Sequence, residues 1–191
     1  LMAVTMLPLG FAPIFYGYLT EYVSTKRLLL ASVSLLAVNQ ALLAVAGAFW
    51  IMIVLRFVQG LLLPAVFTSL MTYSANAATA ARVRNAINIY ISATIFGGFA
   101  GRLLGGVISD ILEWRWAFIL TSGLLAVACA LLNTLPEDTR PDVTRVEFDA
   151  AQRILSRPFY RDAYVCIFLV FFVFASILNY IPFRLKSLDP D

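Results

Sequence analysis

Five stretches of this chain, residues 1–20, 28–55, 57–81, 116–136 and 163–183, contain no Asp, Glu, Lys or Arg. A helix that crosses a bilayer needs roughly 20 mostly apolar residues, because the hydrocarbon interior solvates neither charge nor free backbone groups. Each of these runs is long enough to be such a span. Composition points the same way: 61% of the residues are hydrophobic and 13% charged, where soluble domains carry about a quarter charged residues. The chain therefore reads as an all-α membrane protein, a polytopic bundle of transmembrane helices whose first partner is the lipid bilayer.

Hydropathy patterning divides it into six helices at about 1–20, 28–47, 49–75, 86–110, 114–135 and 162–183. The links are short except for residues 136–161, PEDTRPDVTRVEFDAAQRILSRPFYR, a charged connector. Within it Phe148, Ala151 and Leu155 are spaced for one face of a short amphipathic helix lying on the membrane surface. The expected organisation is a helical segment over 1–135, a linker over 136–161, and one further helix within 162–191. Lysines and arginines accumulate on the cytoplasmic side of spans. Lys26, Arg27, Arg82, Arg84, Arg140, Arg145, Arg153, Arg157 and Arg161 share one side, against Arg115, Arg184 and Lys186 on the other. This nine-to-three bias puts the linker in the cytoplasm and the N-terminus outside.

Several chemistries lack their residues. The chain contains no histidine, so the commonest general base and metal ligand are absent. No pair of carboxylates lies at membrane depth, and no nucleophile has an evident base beside it. An enzyme, a metal site and a cofactor are therefore not expected. Cys129 and Cys166 fall inside spans and read as buried small apolar residues rather than a disulfide. The bases lie at span ends rather than on one exposed face, so nucleic acid is not an expected partner.

Three stretches break the apolar pattern. In GYLTEYVSTKR, Gly17 permits close helix approach, Glu21 can face a helix N-terminus, and Lys26 and Arg27 fill a tight cytoplasmic turn. An ordinary positive-inside loop has the same composition. In LRFVQGLLLPA, Arg56, Gln59, Gly60 and Pro64 lie within a span. Arg56 is about 10 Å from the outer end by helical rise, so it either faces a cavity or partner, or snorkels to the interface. In GGFAGRLLGGVISD, Gly97, Gly101 and Gly105 repeat every four residues as a packing groove. Arg102 lies on a neighbouring face with Gly98 and Gly106. It is about 12 Å along the helix from Asp110. Asp110 and Glu113 stand at the outer rim, where either suits a structural clasp with an arginine; a fixed charge in a transport path is the other reading. Asn88, Tyr90, Asn179 and Tyr180 suit either a cavity lining or interhelical hydrogen bonds.

In that order and at those places, the three stretches resemble hallmark motifs of the major facilitator superfamily: the loop after its second helix, the Arg-x-x-Gln-Gly of its fourth, and the glycine-rich segment of its fifth. EWRWAF at 113–118 resembles the entry to the sixth helix, and ILNYIPFRL at 177–185 the end of the seventh. The glycine stretch with its arginine, MTYSAN and ILNYIPFRL are most similar to a bacterial branch of efflux permeases, the YnfM-like proteins. The resemblance covers essentially the whole chain and implies a partial fold of about six of twelve helices, numbers two to seven. The first helix and the eighth to twelfth would be missing, and the chain reads as a fragment. It further implies that Gly17 and Glu21 sit where the two halves of a transporter meet. Arg56 and Gln59 would line the central path and couple proton movement to substrate movement. The glycines from Gly97 to Gly106 would pack on the other half. Two departures stand out: Ser24 and Thr25 replace a glycine and a base in the loop motif, and Arg102 replaces a proline of drug antiporters.

The implied function is secondary transport of a small-molecule substrate by alternating access, as proton-coupled efflux in a bacterial plasma (inner) membrane. Uptake of a sugar or organic anion by the same fold is one alternative. A truncated fragment that transports nothing without a partner chain is another.

Overall fold

A computed structural model describes residues 2–79, 81–136 and 158–188. Six helices carry them: α1 (Met2–Tyr22), α2 (Thr25–Val45), α3 (Phe49–Asn76), α4 (Val83–Ile111), α5 (Trp114–Thr134) and α6 (Pro158–Leu188). No strand occurs among the described residues. By length and composition α2, α3, α4 and α5 can each cross a membrane, and Val4–Pro13 of α1 is a shorter apolar helix. The expected short helix around Phe148, Ala151 and Leu155 lies outside the described residues. So do Arg140, Arg145, Arg153 and Arg157 of the linker. Helix α6 is described over Pro158–Leu188, reaching four residues ahead of the expected start.

The chain forms two units, residues 1–144 and 145–191. The second contains α6. In the first, α3 packs on α1, α2 and α4, and α5 packs on α2 and α4. Helix α2 buries the most: Thr25, Leu28, Leu29, Ser32, Val33, Leu36, Asn39, Gln40, Leu43 and Ala44 form a stripe at helical spacing. No residue of α4 or α5 is fully buried. Exposed Phe96, Phe99, Leu103 and Val107 on α4 need no covering in a bilayer, because lipid tails solvate them as well as a protein core does.

Helix pairs are tied by small polar groups. Ser122 Oγ on α5 donates to the Ala37 carbonyl on α2 at 2.8 Å, and Ser34 Oγ lies 3.1 Å from Cys129 Sγ across the same contact. Tyr90 Oη on α4 donates to the Phe67 carbonyl on α3 at 3.1 Å. Each such bond contributes about 0.6 kcal/mol in a membrane, so together they set register more than they hold the bundle. Both cysteines are free thiols, but Cys129 is half-buried and Cys166 exposed. The expectation that both are buried is thereby corrected; a small apolar thiol costs nothing on a lipid-facing surface.

The α1–α2 link is only Val23–Ser24, so Lys26 and Arg27 lie in the first turn of α2 rather than in a loop. A lysine there opposes its own helix dipole. Lys26 instead reaches the far end of the sequence unit, where Nζ donates to the carbonyls of Asn133, at 3.3 Å, and Leu135. These carbonyls end α5, and a cation there complements the negative end of that helix. Tyr73 Oη donates to the next carbonyl, Pro136, at 3.1 Å. Lys26→Met should lose about 0.5–1 kcal/mol of this end's stability. Hydrogen exchange of the last turn of α5 should then speed up about two- to fivefold, with α3 and α4 unchanged.

Candidate functional site

The Arg-x-x-Gln-Gly stretch is built on α3, where residues three apart share a face. Arg56 is half-buried, and its Nη1 donates to Gln59 Oε1 at 3.0 Å. Its guanidinium carbon lies 5.0 Å from the ring centroid of Phe118 on α5, within cation–π range. Its Nε is buried with no hydrogen-bond partner among the described residues. The cation is thus held on two sides and still has an unused donor. Since an arginine stays protonated in proteins, Arg56 can attract a carboxylate or other anion but cannot itself carry a proton.

One residue on, Gly60 is buried where α1 crosses α3. A Cβ built there would lie 2.6 Å from Pro8 Cγ and would also collide with the Thr5 backbone carbonyl. The crossing therefore requires glycine. Pro64, four residues later, has no N–H to donate to the Gly60 carbonyl, which removes one bond from the α3 ladder. Thr68 Oγ1 in turn donates to the Pro64 carbonyl at 2.8 Å. Helix α3 thus combines its deepest cation, its closest helix contact and its weakest backbone rung within nine residues, Arg56 to Pro64.

The glycine stretch behaves differently. A Cβ on Gly97, Gly98, Gly101, Gly105 or Gly106 would meet nothing within 4 Å. Glycine in a helix interior costs about 1 kcal/mol relative to alanine, and no packing among the described residues offsets that cost. Arg102 is exposed and makes no hydrogen bond or ion pair among the described residues. Of the two readings of Arg102, the structural clasp is not formed: Asp110 and Glu113 are both exposed and make no ion pair with Arg102 or Arg56 among those residues. Two turns of helix separate Arg102 from Asp110, about 12 Å, and Glu113 lies beyond them at the α5 N-cap. Nor is Arg102 brought to Arg56, whose contacts are Gln59 and Phe118.

Gly17 and Glu21 belong to the last turns of α1, and the placement of their side chains lies outside what is described. Of the polar residues in doubt, Tyr90 proves to be an interhelical donor. Reading charges alone overlooked a set of uncharged groups. Thr5 Oγ1, both side-chain amide atoms of Asn39, Gln40 Oε1 and Ser69 Oγ are buried without a partner among the described residues. Buried polar atoms are normally satisfied, so these atoms carry hydrogen-bonding capacity that no described residue uses. The adjacent carboxamides Asn39 and Gln40, inside a charge-free run, were the available signal.

The model of the Major Facilitator Superfamily matches residues 1–189 of this chain. Among curated proteins, the inner membrane transport protein YnfM of Escherichia coli (strain K12) is 28% identical over 193 residues, covering 96% of this chain and 45% of that protein. An uncharacterized transporter of Buchnera aphidicola subsp. Schizaphis graminum is 25% identical over 177 residues, 90% of this chain and 43% of that protein. The MFS-type transporter phomT of Diaporthe leptostromiformis is 33% identical over 135 residues, 68% of this chain and 22% of that protein. The chain spans less than half the length of these relatives. With its helices in this order, its Arg-x-x-Gln-Gly on α3 and its glycine stretch on α4, the chain belongs to the Major Facilitator Superfamily.

Proposed function

We propose that this chain supplies most of one half, and the first helix of the other, of a secondary transporter that exports a small organic molecule across a bacterial inner membrane in exchange for protons. The observation that carries the reading is Arg56, a cation inside an apolar span, fixed by Gln59 and Phe118 yet with a buried donor free. That donor is open to the carboxylate or other anionic group of a substrate. Arginine holds its proton throughout, so the coupling proton travels on a carboxyl group that competes with substrate for the cation. The reading gives that role to Asp110, exposed in the last turn of α4 and unpaired with Arg56 in this conformation. Alternating access needs a helix that can flex, and Gly60 with Pro64 makes α3 the place for it.

A second reading has one observation in its favour. Within the runs that form the helix interiors, the only charges are the cations Arg56 and Arg102. Two cations and no acid suit an anionic substrate such as an organic acid, moved in either direction. A third reading, that residues 1–191 alone transport nothing without a partner chain, agrees with their share of the relatives' length.

Direction and coupling are tested together in membrane vesicles containing the native gene product. The probes are a panel of labelled organic cations, neutral aromatics, sugars and organic anions. Proton-coupled export predicts that everted vesicles load a probe when their interior is acidic, and that a protonophore abolishes loading. Loading only by right-side-out vesicles would replace export with uptake. No transport by residues 1–191 alone, despite membrane insertion, would support the third reading.

A further inference from the structure

Between α2 and α5 runs a groove of about 540 Å³. Leu30, Ser34 and Ala37 form one wall and Ala126, Cys129 and Ala130 the other. Three of the six are alanines, and larger side chains there would fill the space. On the wheel of α2, its three wall residues lie on the edge between the buried stripe and the exposed Leu35, Val38, Leu42 and Val45. Ser34, Ala126 and Ala130 are themselves exposed. The groove thus opens on an apolar outer face of the helix pair.

Its walls have little to offer a polar ligand. Ser34 Oγ donates to the Leu30 carbonyl at 2.8 Å and lies 3.1 Å from Cys129 Sγ, so the hydroxyl and the thiol already have partners. Charge lies at one end, which Asn133 lines. Lys26 Nζ donates to the carbonyls of Asn133 and Leu135, which places the ammonium at that end, and Arg27 is exposed one residue on. A carbonyl accepts a hydrogen bond without neutralising the cation, and an ammonium has a third donor to give. Toward the other end, Ser122 Oγ donates to the Ala37 carbonyl and ties the two helices together. From Lys26 to Ala37 is about 16 Å by helical rise, roughly the hydrocarbon depth of one bilayer leaflet.

We propose that the α2–α5 groove is a binding site for a phospholipid of net negative charge, with one acyl chain between the alanines and the phosphate at Lys26 and Arg27. An apolar trough with cations at one end has the polarity of a phospholipid standing in its own leaflet, and its length matches that leaflet. The leaflet is the one on the Lys26 side, cytoplasmic by the distribution of Lys and Arg. The cations select an anionic headgroup, because a zwitterionic one brings its own positive charge to the same place. A protein helix, about 10 Å across, is too broad to enter a trough between two helices tied at both ends, whereas a single acyl chain follows it.

The test uses the native full-length gene product in nanodiscs doped with one of two photoreactive lipids, phosphatidylglycerol or phosphatidylcholine. Both carry a diazirine midway along one acyl chain. Illumination releases nitrogen, the carbene inserts into a neighbouring bond, and peptide mass spectrometry locates the adduct. The phosphatidylglycerol probe should label residues 30–37 and 126–133 about fivefold or more above the phosphatidylcholine probe, with a ratio near one on the exposed face of α4. Lys26→Met should bring the ratio at the groove toward one. Ala126→Phe should fill the trough and lower labelling there about tenfold while gel filtration shows the protein still folded; Ala130→Phe replaces it if that variant misfolds. Equal labelling by both probes overturns the proposal, and so does groove labelling no higher than that of α4. An unlabelled groove would show that protein covers it and would also overturn the proposal. None of these readouts depends on transport, so the lipid site stands or falls separately from the proposed function.

Discussion

Replacing Gly60 with leucine is expected to separate α1 from α3 and to reduce the folded protein recovered from the membrane at least tenfold. The first atom beyond the backbone already lies 2.6 Å from Pro8 Cγ and overlaps the Thr5 carbonyl. One obstacle is a proline ring and the other is backbone, so neither can rotate aside. Alanine at this position should itself cost about 1–3 kcal/mol, the usual range for overpacking a tight contact. Leucine exceeds that, because its branch must enter the same space. Gly47 is the matched control: a Cβ there meets nothing within 4 Å, and Gly47→Ala should change stability by less than about 0.5 kcal/mol, as surface substitutions do. Thermal unfolding followed by gel filtration in detergent reads both. A Gly60→Leu midpoint equal to the parent's would mean that α1 does not rest on α3 as described.

Under the proposed function, Arg56→Gln in the native gene product is expected to leave the amount of inserted protein unchanged and to reduce transport about a hundredfold. The glutamine keeps an amide near Gln59 but removes the charge, and misplacing one charged group by about 1 Å at a working site can cost that much. Arg56→Lys keeps the charge without the planar fork that reaches Gln59 and lies over Phe118, so it should retain more, with a loss of about tenfold. Gln59→Leu removes a hydrogen bond to a charged group. At about 1.5–3 kcal/mol, that also predicts a loss of tenfold or more. Phe118→Ala should cost least, about fivefold for a partly exposed cation–π contact. Initial rates in vesicles, normalised to protein, rank the four variants. Parental rates in Arg56→Gln would show that the cation serves packing, and the proposed coupling role would fall with it.

Much of the helix layout follows from solvation alone. A run of 20 or more uncharged, apolar residues has one low-energy form in lipid, so α2, α5 and all of α3 but Arg56 are legible from where Asp, Glu, Lys and Arg do not occur. The loop between α1 and α2 was misjudged by the same rule. Lys26 and Arg27 look like turn residues because they are charged, yet they open α2, and a lysine is tolerated there because it answers the dipole of α5 more than 100 residues away. No local pattern contains that partner.

The motif residues divide along a similar line. Glycine at position 60 and glycines at 97–106 look alike in sequence, since both are small residues within spans. Only the crossing of α1 over α3 makes Gly60 obligatory, while the row on α4 faces open space. An arginine in a span announces a need for partners, but the sequence offered Asp110 and Glu113 for both arginines. The fold chose Gln59 and Phe118 for Arg56 and left Arg102 without either. Asn39 and Gln40 passed unnoticed because an amide has no net charge, and burial by α2's neighbours is what turns them into open hydrogen-bond positions. What the sequence alone determined is where the chain enters and leaves lipid, since that depends on each segment's own free energy of transfer. Which helix touches which, and which polar group is left waiting, depends on pairwise fit between distant segments, and only the tertiary structure decides it.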